Sequence, residues 1–421
     1  MRRRAVTLVL TLCLVAACAT DPGAAPPEGQ PGDGQPADGQ TADRAAIAAS
    51  LSEDDARDLA TRVNAFGFDL LHELVGAQGP NVVISPVSVA TLLAMVLAGA
   101  DGQTAEDMAA ALHLEDPGVG SAHAGLLFTL TETSDVTLEV ANSLWIDAPM
   151  EADYLERVRT VFDATAEEGD LGDQATADRI DEWVVEHTHG LIDGIAQDLG
   201  LPNGQAVLAL LNALYFQGTW TIQFDPDQTT DAPFSTGAGG DVTVPMMHHG
   251  GTAERFGYAD VDGTQVLRLP YGASERFAMD VVLPPEGEDL ADVVAGLDDD
   301  AWAALTAALS PAEIQVSLPR LDLSYDADLV EPLAALGMGV VFSGAADLTP
   351  MSPVDPSLDT VAHATAIVVD ESGTEAAAVT GGVGAVSAPP TFRADRPFLF
   401  AVTDTQTGAV LFLGAVTDPT T

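Results

Sequence analysis

The chain has 421 residues, 47% of them hydrophobic and 19% charged, with 39 Gly and 26 Pro, a composition that excludes a disordered polymer, a collagen and a coiled coil and allows a sizeable core. Against 64 Asp and Glu stand 15 basic residues, every one an Arg, for a net charge of −49. So few cations argue against nucleic-acid binding, which needs phosphates neutralised, and acidity on this scale reads as solubility in a salty or crowded exterior.

At the N-terminus, Arg2, Arg3 and Arg4 precede an apolar stretch from Ala5 to Ala16, too short to span a bilayer comfortably as a permanent helix. It ends Val15-Ala16-Ala17-Cys18, the pattern of a bacterial lipobox, whose Cys thiol takes a diacylglyceryl group; an ordinary signal peptide containing a Cys is the alternative. Residues 1–18 are therefore read as a lipoprotein signal peptide with Cys18 as the lipidated residue, anchoring a secreted protein to the outer side of a membrane. Cys13 and Cys18 are the only cysteines, so disulfides, thiol catalysis and Cys metal sites are excluded from the mature chain. Cleavage ahead of Cys18 removes three Arg and no acid, leaving 12 basic against 64 acidic residues, a net −52. Residues 19–46 are rich in Pro, Gly and Asp, with almost no apolar side chain larger than Ala, and read as a disordered tether. One large domain, 47–421, follows.

Within it, Ser52 followed by Glu53, Asp54 and Asp55 predicts a helix start, continued by Leu59, Val63, Phe66, Leu70 and Leu74 at helical spacing. Asn81 to Ser85 predicts a short apolar strand stopped by Pro86, and Val87 to Ala98 a helix apolar on most sides and hence buried. Ala177 to Glu186, with Ile180, Trp183 and Val184, predicts an amphipathic helix. Ala206 to Phe216, apolar except for Asn212, predicts a central strand covered on both faces. Further strands are expected at Ala278–Leu283 and at Ile314, Val316 and Leu318; Phe398–Val402 and Ala409–Leu413 form a hairpin around Asp404–Gly408. Helices mostly precede strands, so the fold class is α+β with largely antiparallel sheets.

Enzyme signatures are missing: there is no Gly-x-Ser-x-Gly elbow, no Walker sequence and no His-Glu-x-x-His. Gly382-Val383-Gly384 reaches Ser387 where a dinucleotide fingerprint needs Gly, and neither His187 with His189 nor His248 with His249 has an evident third zinc ligand. No catalytic residue, metal or cofactor is expected.

Asn81-Val-Val-Ile-Ser-Pro-Val-Ser88, Leu92–Ala100 and Gly102–Met108 resemble the serpin family, as do Asn212–Trp220, Val244–Met247, Leu267–Tyr271 and Val282–Pro284. Leu318-Pro-Arg320, Leu336-Gly337, Phe342, Asp370–Ala378, Asp395–Phe398 and Phe412–Val416 continue the likeness in the family order, from about Leu59 to Pro419. The resemblance implies about nine helices, three sheets and an exposed reactive loop between a strand at Ala362–Asp370 and the C-terminal strands. It further implies a suicide inhibitor: a target serine protease cleaves the loop, is held at the acyl-enzyme stage, and is dragged along as the loop inserts into the main sheet. A monomer is expected. By motif, Ser85, Ser88, Asn212 and His363 match the shutter, the polar cluster under the sheet that lets strands part. Trp220, Arg320 and Glu371 match the breach, where the loop first enters. Glu371, Gly373, Thr374, Glu375, Ala376, Ala377 and Ala378 match the hinge.

A loop that becomes a central strand needs alternate side chains that fit beneath the sheet. In the family register Thr374, Ala376, Ala378, Thr380, Gly382 and Gly384 face inward, none large or charged, and Glu375 is the only acid between Ser372 and Asp395. Two counts place the scissile bond at Val386–Ser387, the preferred reading, or at Ser387–Ala388. No Arg lies between Arg320 and Arg393, so the specificity residue is small and uncharged and suits an elastase-like or subtilisin-like protease. Two alternatives stay open: a fold kept as a binding or carrier protein, and a plain protease substrate whose loop inserts too slowly, which the bulk of Val379 and the entropy cost of Gly381 and Gly382 would favour.

Overall fold

Three β-sheets and ten α-helices make up the computed structural model, which describes residues 38–75, 81–115, 120–133, 136–250, 255–354, 356–373 and 390–421. These lie in one unit, Ala37–Thr421. The α+β class and the three mainly antiparallel sheets stand as expected, with ten helices among the described residues where about nine were expected.

Local chemistry sets the helix starts. Ser52 Oγ accepts the Asp55 amide at 3.1 Å while the Asp55 carboxylate accepts the Ser52 amide at 3.3 Å, a reciprocal cap opening the helix Glu53–Val75. All five residues of its expected apolar stripe are buried. Ser85 caps the next helix, Pro86–Leu97, with Pro86 in the first turn and every residue of the helix buried. Asp173 caps the amphipathic helix Gln174–His187.

The five-stranded sheet runs in the order Leu321–Asp328, Thr360–Val369, Leu208–Gly218, Val136–Ile146, Thr165–Glu168. Its third strand is the apolar run seen in sequence, shifted by two residues, and it is covered on both faces. One face, through Leu210, Leu214 and Phe216, joins the main core with Pro86–Leu97 behind it; the other, through Ala209, Leu211 and Ala213, meets Ile180, Trp183 and Val184 of the helix Gln174–His187. Two of its four ladders are antiparallel and two parallel: Val136–Ile146 with Thr165–Glu168 at the edge, and Thr360–Val369 with Leu208–Gly218 at the centre, from Thr360 opposite Ala209 to Ile367 opposite Phe216. The seven-stranded sheet contains the C-terminal hairpin, now Phe398–Asp404 with Val410–Val416, and is antiparallel throughout. A four-stranded sheet carries Thr391–Arg393 at its edge, parallel to Gln315–Pro319.

One boundary needs correction. The tether was expected to reach residue 46, but Asp38–Ser50 is a helix. Alanine-rich sequence favours helix, and packing fixes it. Arg44 pairs with Asp163 at 2.6 Å and lies over the Phe128 ring, and Ile47 and Ala48 press on Gly125 of the helix Ser121–Thr131. The tether's remainder, the signal segment and Cys18 lie outside the described residues.

Candidate functional site

The parallel pair forms a seam through the middle of the five-stranded sheet. His363 and Asn212 face each other across it in register, both fully buried. The Ser85 amide donates to His363 Nε2 at 3.0 Å, so the ring proton sits on Nδ1 and is donated to Asn212 Oδ1 at 2.8 Å. Asn212 Nδ2 in turn donates to Asn142 Oδ1 at 2.8 Å and to Ser88 Oγ, while Ser85 Oγ accepts the Ser88 amide at 3.3 Å. Burial pushes the His363 pKa down to about 3, so the ring is neutral. All four residues expected in this cluster are brought together. Asn142, which the sequence reading missed, is a fifth; it lies in Val136–Ile146, a strand whose mixed Thr, Glu, Asn and Ser content hides its period.

At the end of the seam, beyond Val369, the chain turns at Asp370–Gly373. Glu371, 4% exposed, receives Arg320 Nη2 at 2.6 Å and Nε at 2.9 Å, with the Thr229 hydroxyl as a further donor. Burial alone would raise the Glu371 pKa, but these donors outweigh it and hold the carboxylate below its usual range. Trp220 Nε1 donates to the Asp370 carbonyl at 2.9 Å, its amide donates to the Ser372 carbonyl at 2.8 Å, and its ring stacks on Tyr271 at 4.2 Å. The expected trio Trp220, Arg320 and Glu371 thus meets; Thr229 and Tyr271 join it without a sequence signal of their own. Gly373 has φ +93°, and a Cβ there would collide with the Gly218 carbonyl oxygen and the Trp220 nitrogen, so only glycine passes.

The hinge residues Thr374, Glu375, Ala376, Ala377 and Ala378, and both proposed scissile bonds, Val386–Ser387 and Ser387–Ala388, lie outside the described residues. Among the described residues no group of His, Cys, Asp and Glu is placed to hold a metal. His187 packs on Trp183, His189 pairs with Glu139 at 2.9 Å, and His248 bridges the hydroxyls of Thr230 and Ser317.

What the geometry permits is parting. Strands in a parallel pair cannot be joined by a tight turn, whereas a segment leaving Val369 and doubling back would run antiparallel to both neighbours. The side-chain hydrogen bond between His363 and Asn212 crosses the seam at mid-sheet between neutral groups, and the end of the seam is held by the Trp220 hydrogen bonds to Asp370 and Ser372, with the Arg320–Glu371 ion pair beside them.

A family model described as serpin (serine protease inhibitor) matches residues 61–419. An uncharacterized serpin-like protein of Thermococcus kodakarensis is 34% identical over 384 residues, covering 88% of each chain. Human serpin B8 is 36% identical over 354 residues, 80% of this chain and 93% of that protein. The crystal structure of the thermophilic serpin tengpin in its native state aligns with a TM-score of 0.77 at 25% identity, over 86% of this chain and 94% of that one.

Proposed function

The chain belongs to the serpin family, and on that premise we propose that it is an irreversible suicide-substrate inhibitor of extracellular serine proteases of the elastase-like or subtilisin-like kind. Serpins are typically protease inhibitors rather than enzymes, though some do not inhibit. The observation that carries the reading is the closed parallel seam, with a neutral hydrogen-bonded lock at its middle and the loop's departure point at its end. The protease would cleave the loop near Val386–Ser387 and remain acylated on the upstream side. The freed segment from Thr374 would then enter between Thr360–Val369 and Leu208–Gly218, and its small inward residues suit that slot.

Mixing the protein with an elastase-like or a subtilisin-like protease and running a denaturing gel tests this. A covalent complex supports the inhibitor, a clean nick alone a plain substrate, and an intact chain with both a carrier. Mass spectrometry of the released C-terminal peptide locates the bond: a fragment starting at Ser387 supports Val386–Ser387, one starting at Ala388 the alternative. Efficient trapping of trypsin overturns the specificity argument.

The protein is further proposed to act as a monomer held at the outer membrane surface by lipid on Cys18, the motif Val15–Cys18 being the support. Cys18→Ser should release it from the membrane fraction or leave an unprocessed precursor; a wild-type protein found entirely in the soluble fraction sinks the anchor.

A further inference from the structure

We propose that a shallow cavity astride the sheet seam binds a small aromatic ammonium ion, and that the bound ion acts as a brake on sheet opening. The cavity, about 180 Å³, is lined by His189, Leu191, Tyr215, Phe216, Ala366 and Val368. It lies on the sheet face covered by the helix Gln174–His187, just beyond that helix's end, where Tyr215 stands in register with Ala366 across the seam. One wall therefore belongs to each of the two strands that must separate.

The size and lining select the ligand. A dry apolar cavity of about 150 Å³ accepts a benzene ring, so this one holds a single six-membered ring. Leu191 is one of only three large hydrophobic residues exposed among the described residues, and Val185, another, lies on the last turn of the same helix. The His189 and Tyr215 rings meet at 4.2 Å and offer π faces. Carboxylates flank both sides on this face: Glu139 opposite Tyr215, and Asp322 opposite Val368, both exposed. A ring carrying a positive charge meets apolar walls, π faces and two acids at once; an anion meets repulsion.

The backbone supplies an independent observation. His189 takes φ +53° immediately after the helix, where the Gly190 amide closes back on the Val185 carbonyl at 2.8 Å, a position that glycine normally fills. From that position the His189 ring reaches Glu139 at 2.9 Å and Tyr215 at 4.2 Å, which a glycine there could not do.

An inserted strand would move Tyr215 from about 4.8 Å to about 9.6 Å from Ala366 and destroy the cavity. A ligand bound only to the closed sheet stabilises it by mass action and slows insertion. That consequence rests on the inhibitor reading above; the binding does not.

Benzylamine is the probe, followed by saturation-transfer NMR on the intact chain. Saturation transfer that benzoate does not reproduce supports the site. So does its weakening by about tenfold or more in both Ala366→Leu, which fills the cavity, and His189→Gly, which removes a wall while relieving the backbone. No transfer from wild type, or undiminished transfer in both variants, overturns it. In the gel assay, saturating benzylamine should shift the product from covalent complex toward nicked chain; an unchanged ratio overturns the brake. If no complex forms even without the amine, the inhibitor reading falls, and the NMR titration still decides the site.

Discussion

Single residues set how the closed molecule responds to acid and to crowding. His363 is buried neutral with its pKa lowered to about 3 from 6.5, and His123 behaves alike at about 4. A group whose folded value lies below its unfolded one takes up its proton on unfolding. The stability it contributes is therefore complete above pH 6.5 and lost as pH falls toward the folded value, at up to about 1.4 kcal/mol per pH unit for each group. Glu371 is a depressed carboxyl, so its share persists until pH drops below its ordinary 4.5. Urea midpoints should accordingly fall between about pH 7 and pH 5, and His363→Gln should flatten that fall; equal slopes for wild type and variant would refute the assignment. Gly373→Ala tests the breach. Its methyl has no room between the Gly218 carbonyl and the Trp220 nitrogen at φ +93°, so the turn must shift at a cost on the order of 2 kcal/mol. A lowered thermal midpoint with altered near-ultraviolet tryptophan dichroism is expected, and an unchanged midpoint contradicts the packing.

Among the elements, those with one strong local signal were readable in advance and those made by tertiary contact were not. The helix Glu53–Val75 announces itself by cap and stripe, and Pro86–Leu97 by Pro and unbroken apolarity. Leu208–Gly218 was legible because burial on both faces leaves an apolar run, and the family motif marked Asn212 within it as part of the shutter. The helix Asp38–Ser50 was not, because its sequence is polar and alanine-rich and its order comes from Arg44 on Asp163 and Phe128. Asn142 was hidden for a similar reason: its role depends on which strand lies beside Leu208–Gly218, and one sequence does not state that pairing. The docking of Asp38–Ser50 is testable at Gly125, where a Cβ would stand 2.8 Å from Ile47 Cγ2 and 3.2 Å from the Ala48 nitrogen. Gly125→Val should prise this helix away, costing about 1–3 kcal/mol of overpacking. Hydrogen exchange across residues 38–50 should accelerate while the helix Pro86–Leu97 keeps its protection; slow exchange in both would show that the contact does not order the helix.

For the whole molecule, the question is whether the closed five-stranded sheet is the most stable arrangement this chain can reach. The parallel ladder of the seam is slightly weaker per residue than antiparallel pairing, and a returning strand would replace one parallel ladder with two antiparallel ones. The lock across the seam joins two neutral groups, and Asn212 and His363 each have further partners in the closed sheet, Asn142 and Ser88 for the one and the Ser85 amide for the other. On the inhibitor reading, the uncut loop runs from Gly373 to the edge strand Thr391–Arg393, and cutting it frees its upstream part to enter the seam. Cutting it should make the protein more stable, the reverse of what a nick does to an ordinary domain. Limited digestion with a subtilisin-like protease is expected to raise the thermal midpoint by on the order of 10 °C or more, as new ladders form. Thr374→Arg provides the matched control, because in the family register that position faces inward and an unpaired guanidinium beneath the sheet is opposed by several kcal/mol, roughly. The variant should be nicked as fast as wild type yet gain no stability and form no covalent complex. A nicked wild type that melts no higher than the intact chain would mean that the seam does not open, whatever the loop's sequence allows.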